Sequence, residues 1–304
     1  MAGFAIVVYA FAVVLVVMVV WSITHRRRPA QLSARAVPVI AAARRRALIA
    51  VGFALVVFLA GAVAGVTFPS LLGMPFAAMP LVAGASGLLL YAATPPRDVS
   101  VAAEQVRTAG LTRRSWLTTA PAGWMHVCLE IVLVFVALVI FCGVTAQADD
   151  HGRSRAIGFA DDEYATLASP YPGWFYGIPA LAGLALLVVS TIIALRRIVA
   201  TAAFPHPDDH DADAQWRRAS TAVVLKLASG ALLFSVGGIA MTAGFAMRNA
   251  LIEGATPVVW GVIADILSIM GVLFLVLSIV SVTLAALTAF TIGERLARLP
   301  EPVR

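Results

Sequence analysis

Seven stretches of this chain are apolar over about twenty consecutive positions, the length a helix needs to cross a hydrocarbon layer of about 30 Å. They lie at 4–23, 47–68, 76–93, 122–144, 174–195, 222–246 and 258–282, the last staying apolar to Phe290. Inside a bilayer no water is available to the backbone, so each such segment must satisfy its own amides as a helix. The alternation expected of barrel strands is missing. Composition agrees: 61% of residues are hydrophobic and 12% charged, against roughly 45–50% and about 25% in soluble domains. The sequence therefore predicts a single all-α polytopic bundle over 1–304, with no soluble domain. It excludes a water-soluble globule, a coiled coil and a disordered chain.

The charges that remain are sorted by loop. Segments 24–46, 94–121, 196–221 and 291–304 hold eighteen arginines, and the alternating set 1–3, 69–75, 145–173 and 247–257 holds three. By the positive-inside rule the first set is cytoplasmic, which puts the N-terminus outside and the C-terminus inside in the plasma membrane. The first apolar run is too long for the core of a signal peptide, and its basic residues follow it, so it reads as an uncleaved helix. Arginines clustered beside apolar runs also account for the formal charge of +6, so no nucleic-acid partner is expected. The bilayer is the expected partner, together with a protein in a membrane complex.

All six tryptophans (Trp21, Trp116, Trp124, Trp174, Trp216 and Trp260) fall near the ends of apolar runs, where amphipathic rings favour the interface. Three inner segments each carry an arginine pair or triplet late in their length: Arg44-Arg45-Arg46, Arg113-Arg114 and Arg217-Arg218. Cys128 and Cys142 share one run and stand about 21 Å apart along a helix, too far for a bridge.

Ionisable groups at membrane depth are costly and mark candidate sites. Four are present: His126, Glu130, Lys226 (the chain's lone lysine) and Asp265. His126 and Glu130, four apart, share a helix face. Lys226 sits at a depth from which a Glu130–Lys226 pair is geometrically open, and the alternative is that it snorkels to the headgroups. Around Asp265 runs a seam of small or polar residues, Gly261, Ser268, Gly271, Ser278 and Ser281, which reads either as close helix packing or as the wall of a polar path. Gly61 and Gly65 form a further packing pair. His206 and His210, in the run His206-Pro-Asp-Asp-His210-Asp-Ala-Asp213, are weak metal-ligand candidates, and a solvated acidic loop is the competing reading. Segment 98–111 has the pattern of a short interfacial helix. The metalloprotease, hydrolase-elbow, Walker and dinucleotide signatures are absent, and no cofactor or catalytic residue is expected.

The run Tyr171-Pro-Gly-Trp-Phe-Tyr-Gly-Ile-Pro179, together with Leu195-Arg196-Arg197 and Trp216-Arg217-Arg218-Ala219-Ser220, resembles a group of uncharacterised multi-pass membrane proteins of high-GC Gram-positive bacteria. That resemblance implies no activity, substrate or catalytic residue. The expected function is thus non-enzymatic: a permease-like protein or a component of a membrane complex. The alternative is a structural or regulatory protein that docks a cytoplasmic partner or anionic lipid through its arginine-rich inner loops.

Overall fold

A computed structural model describes residues 36–94, 122–201 and 210–292. They form six long helices, α1 (Ala36–Thr67), α2 (Met74–Ala93), α3 (Ala122–Thr145), α4 (Trp174–Ala200), α5 (His210–Ala250) and α6 (Val258–Phe290). All six are long and apolar enough to span a membrane, so by helix length and composition the chain is a multi-pass membrane protein. The apolar run 4–23 and the segment 98–111, with Trp21, Trp116 and Arg113-Arg114, lie outside the described residues.

Each helix matches an expected run, but several are longer. α1 begins eleven residues before 47 and α5 twelve before 222, so both carry their arginine clusters on helix instead of loop. Pro75 and Pro80 sit in the first two turns of α2, where few intrahelical donors are lost. A chain of left-handed residues, Leu72 (φ 52°) and Gly73 (φ 80°), ends the short 3-10 turn Pro69–Leu71 and turns the backbone into α2.

α5 is the axis of the bundle. It is buried nearly all round from Trp216 to Ala250, and it packs against every other long helix. Its tightest partner is α6. Gly230, Gly237 and Gly244 recur every seven residues along α5, and a Cβ at each would come within 3 Å of Val282, of Gly271 and Leu275, and of Ser268 and Ala264. Gly271 on α6 meets the Met241 backbone equally closely. Small residues let two backbones approach, which is how helices adhere when lipid and side chains are equally apolar. The seam read from the sequence is therefore a packing interface: Ser278 donates to the Gly230 carbonyl at 2.8 Å and Ser281 to the Lys226 carbonyl at 2.9 Å. Gly61 and Gly65 also pack closely, against Met79 and Phe76 of α2.

The segment between α3 and α4 departs from a plain loop. It folds into three short antiparallel strands in the order β1 (Gln147–Ala148), β2 (Ser154–Ala160) and β3 (Ala165–Ala168). The turns are set by Asp149-Asp150-His151-Gly152, with Gly152 at φ 73°, and by Asp161-Asp162-Glu163. Asp and Gly are the residues that such turns favour. The Tyr171–Trp174 run is the corner that seats this sheet on the helices. The Tyr171 and Thr145 hydroxyls are 2.6 Å apart. Gly173 lies so close to Ala146 and to the Ser154 carbonyl that no side chain fits there, and Trp174 covers Gly143. The sheet is also tied to α5, since the Thr166 hydroxyl donates to the Ala250 carbonyl.

Candidate functional site

At one end of the bundle the starts of α1, α3 and α5 meet the ends of α2, α4 and α6, and arginines hold them together. The last carbonyls of a helix have no intrahelical donor. Arg46 of α1 supplies one to α2: its Nη2 donates to the Tyr91 carbonyl at 2.9 Å, its Nε to Thr94 Oγ1 at 3.4 Å, and its guanidinium stacks 4.6 Å from the Tyr91 ring. Arg217 of α5 does more for α4. It donates to the carbonyls of Ile198 (2.6 Å), Val199 (3.3 Å) and Thr201 (2.8 Å), and also pairs with both oxygens of Asp213 at 2.8 and 3.1 Å. Arg44 stacks 5.5 Å from Phe290 at the end of α6. Two of the three arginine clusters seen in the sequence thus contain helix-capping residues. Trp216, expected at the interface, is buried beside Arg217 at 2% exposure.

Asp213 was expected in a solvated acidic loop. The structure instead places it on α5, four residues before Arg217 and buried with it. His210 is the first residue of α5, and His206 lies outside the described residues. Among the described residues no group of three or more His, Cys, Asp or Glu side chains converges as a metal site.

The four intramembrane candidates do not converge either. Lys226 points across to α6, where its Nζ donates to Thr288 Oγ1 at 2.8 Å, and it lies 5.6 Å from the Trp124 ring of α3. Cys128, one turn beyond Trp124, is 3.0 Å from the Ser229 hydroxyl. This α5-facing side of α3 continues through Ile131, Phe135, Val139 and Cys142, all buried. His126 and Glu130 share the opposite side and are exposed, in a row with Leu129, Leu133, Ile140 and Val144. Asp265 is exposed near the start of α6 and pairs with Arg248 of α5 at 3.1 Å, both side chains being more than half exposed.

An apolar cavity does exist between α1, α2, α5 and α6, walled by Phe58, Pro80, Ala83, Phe234, Ser278 and Val282. None of His126, Glu130, Lys226 and Asp265 lines it.

At the other end the charged cluster is built on the sheet. Asp149 accepts the backbone N–H groups of His151 and Arg153, both at 2.9 Å, and the Arg153 Nε at 2.9 Å. Arg155 Nε lies 2.8 Å away, an ion pair by proximity whose N–H is not aimed at the oxygen. Partial desolvation works to raise the Asp149 pKa, but the two backbone donors and Arg153 together outweigh it and hold the carboxyl near 2. Tyr176, which accepts from Arg155 Nη1 at 3.5 Å, extends the network to the turn before α2 by donating to the Leu72 carbonyl at 2.7 Å. The capping arginines and this hub were missed in the sequence because both act on backbone groups. Only the Asp213-x-x-x-Arg217 spacing and the Asp-Asp-His-Gly turn signal them.

No family model, no curated protein and no solved structure matches this chain.

Proposed function

We propose that this chain is a non-enzymatic, multi-pass plasma-membrane protein that serves as the membrane-embedded part of a larger complex. Its sheet faces outside and its arginine-rich helix ends face the cytoplasm. The observation that carries this reading is the placement of the membrane-depth carboxylates. A permease that couples to an ion gradient needs titrating groups around a shared polar passage. Here Glu130 and Asp265 face outward from different helices. The polar groups between α5 and α6 are used for packing. Outward-facing polar groups suit contact with a neighbouring chain. The orientation rests on the arginine asymmetry between the two sets of segments. Kinship with the high-GC Gram-positive membrane proteins is part of the same proposal, resting on the Tyr171–Pro179 run, for which the sheet-docking corner supplies a physical role.

The test pairs two measurements. Proton flux in proteoliposomes is expected to be unaffected by Glu130→Gln and Asp265→Asn, whereas particles extracted from native membranes into polymer-bounded discs are expected to exceed the mass of one chain. Flux that disappears with either substitution overturns the reading in favour of a permease.

A second reading is supported by the exposed arginines. Arg46 and Arg217 are consumed as caps, but Arg45, Arg196, Arg197 and Arg218 stay exposed at the same end. They suit docking of anionic lipid headgroups. Vesicle binding that rises with anionic lipid content, and falls when these four are replaced by glutamine, supports it.

A further inference from the structure

Helices α1, α2, α5 and α6 form a ring around the apolar cavity. Within that ring α2 packs closely on α1 and on α5, and α6 packs closely on α5, whereas α1 rests only lightly on α6. The lining residues show the same weak side. Of those that wall the cavity, the two that are not buried are Leu55 of α1 and Val282 of α6. They stand on the two helices that touch least, so the cavity is a cleft that opens sideways between α1 and α6.

The walls constrain what can fill such a cleft. Its one side-chain hydroxyl, Ser278, already donates to the Gly230 carbonyl at 2.8 Å. A buried water needs about two to four polar partners, and the lining side chains have none to spare. Empty walls lose the dispersion contacts that close packing provides. Around a ring of membrane-spanning helices the available filler is hydrocarbon, and an acyl chain restores those contacts.

The α1 wall points to one kind of lipid. Arg44, Val51 and Phe58 are seven apart and lie on one side of α1. By the helical rise Val51 and Phe58, both in the wall, stand about 10 and 21 Å from Arg44, so the cleft runs from the near leaflet to the middle of a core of about 30 Å. The Arg44 guanidinium lies 5.5 Å from the Phe290 ring at the end of α6, at the head of the same α1–α6 seam. No carboxylate lies within ion-pair distance of Arg44 among the described residues. Arg45, beside it, is exposed. A phosphate suits this pair of cations. A zwitterionic headgroup brings its own ammonium to them, and an anionic one does not.

We infer that the cleft between α1 and α6 is a site for one anionic phospholipid of the arginine-side leaflet, with an acyl chain along Val51–Phe58 and its phosphate on Arg44. The inference deepens the anionic-lipid reading. That reading concerns the open surface of Arg45, Arg196, Arg197 and Arg218, and this one names a cleft and the cation at its mouth.

Native mass spectrometry of the full chain, released from discs of phosphatidylglycerol and phosphatidylcholine in equal parts, tests this. One retained phosphatidylglycerol is expected, preferred about fivefold, the effect of one arginine near a phosphate layer. It is expected to persist when Arg45, Arg196, Arg197 and Arg218 are all replaced by glutamine, which removes the open surface. Arg44→Gln is expected to erase the preference while lipid is still retained. Leu55→Trp and Val282→Phe, each narrowing the mouth from one side, are expected to lower retention well below that of Val272→Trp, a control at a position exposed on α6. No retained lipid, the result if the run 4–23 or a second copy fills the space, overturns the inference. So does retention without headgroup preference, or retention that both mouth variants leave unchanged. Lipid that vanishes with the four surface arginines but ignores the mouth variants removes the cleft site and leaves the surface reading standing. Lipid that persists in the fourfold variant, when that variant also binds anionic vesicles as well as the parent, removes the surface reading and leaves the cleft.

Discussion

Arginine fastens both ends of this bundle, but to different acceptors. At the helix-capping end, Arg46 and Arg217 donate to carbonyls that α2 and α4 leave unpaired. At the sheet end, Arg153 and Arg155 gather on the single carboxylate of Asp149. Carbonyls do not titrate and a carboxylate does, so the Arg46 cap and the Asp149 hub have the same cation and different sensitivity to acid, while Arg217, which also holds Asp213, has both kinds of acceptor. Arg217 is also more deeply buried, at 4% exposure, than Arg153, whose side chain is 31% exposed. The location of the acceptor thus decides both how much an arginine stabilises and what can switch it off.

The comparison is broken most severely at Arg217. Arg217→Ala removes donors from three carbonyls and strands Asp213, itself 7% exposed. Removing one partner of a buried pair costs about 3–5 kcal/mol, to be read from reversible unfolding in mixed micelles. Arg217→Lys keeps the charge but lacks the planar fork, so it is expected to recover only part of the loss. A loss below about 1 kcal/mol would mean that water already satisfies the α4 terminus.

Arg46→Ala sharpens the comparison within the capping end. Arg46 serves one backbone carbonyl, one hydroxyl and the Tyr91 ring, with no carboxylate among these partners. No buried charge is stranded by its removal, so the expected loss is about 1–3 kcal/mol, from one charged hydrogen bond and one cation–π contact. If it equals the Arg217→Ala loss, burial of the carbonyls rather than the stranded Asp213 governs the larger effect.

How much of this was readable beforehand differs by level. The six described helices were legible, because twenty apolar residues have few alternatives in lipid. The centrality of α5 was not, although its glycines and serines at 229, 230, 235, 237 and 238 hint at it: a helix surrounded by helices needs close approach, while one surrounded by lipid needs only apolar bulk. The three strands escaped notice because alternation over seven residues or fewer is weak beside long apolar runs. The shared face of His126 and Glu130 followed from their spacing. Which way that face points depends on where Trp124 and Cys128 find partners on α5, and no local pattern encodes that.

Acid separates the sheet hub from the Arg46 cap directly. An unfolded aspartate titrates near pH 3.9, and Asp149 in the folded sheet titrates at about 2. The depressed value means that its stabilisation is complete above the unfolded value and is lost as pH falls from about 4 towards 2. Hydrogen exchange at the Gly152, Arg153 and Tyr171 amides is expected to speed up across that window, while the Arg46-capped end of α2 keeps its protection. Asp149→Asn is expected to produce the fast exchange at neutral pH and abolish the acid response. Equal loss of protection at both ends would show that the sheet and the caps unfold as one unit.

The smallest effect is expected at Arg248 and Asp265, which combine features of both ends: an arginine on a carboxylate, but near the edge of the bundle and with both side chains more than half exposed. Solvent around such a pair screens it, and exposed pairs contribute roughly 0.2–1 kcal/mol. Arg248→Gln and Asp265→Asn are each expected to lower stability by less than about 1 kcal/mol, with a coupling of a few tenths in a double-mutant cycle. Salt is expected to shrink that coupling further. A coupling well above 1 kcal/mol would require a drier setting than the folded chain alone provides, since neither side chain is desolvated by its neighbours within it. The start of α6 would then have to be covered by lipid acyl chains or by another polypeptide, and the salt titration distinguishes this from a merely well-aligned surface pair, because a covered pair keeps its coupling at high ionic strength.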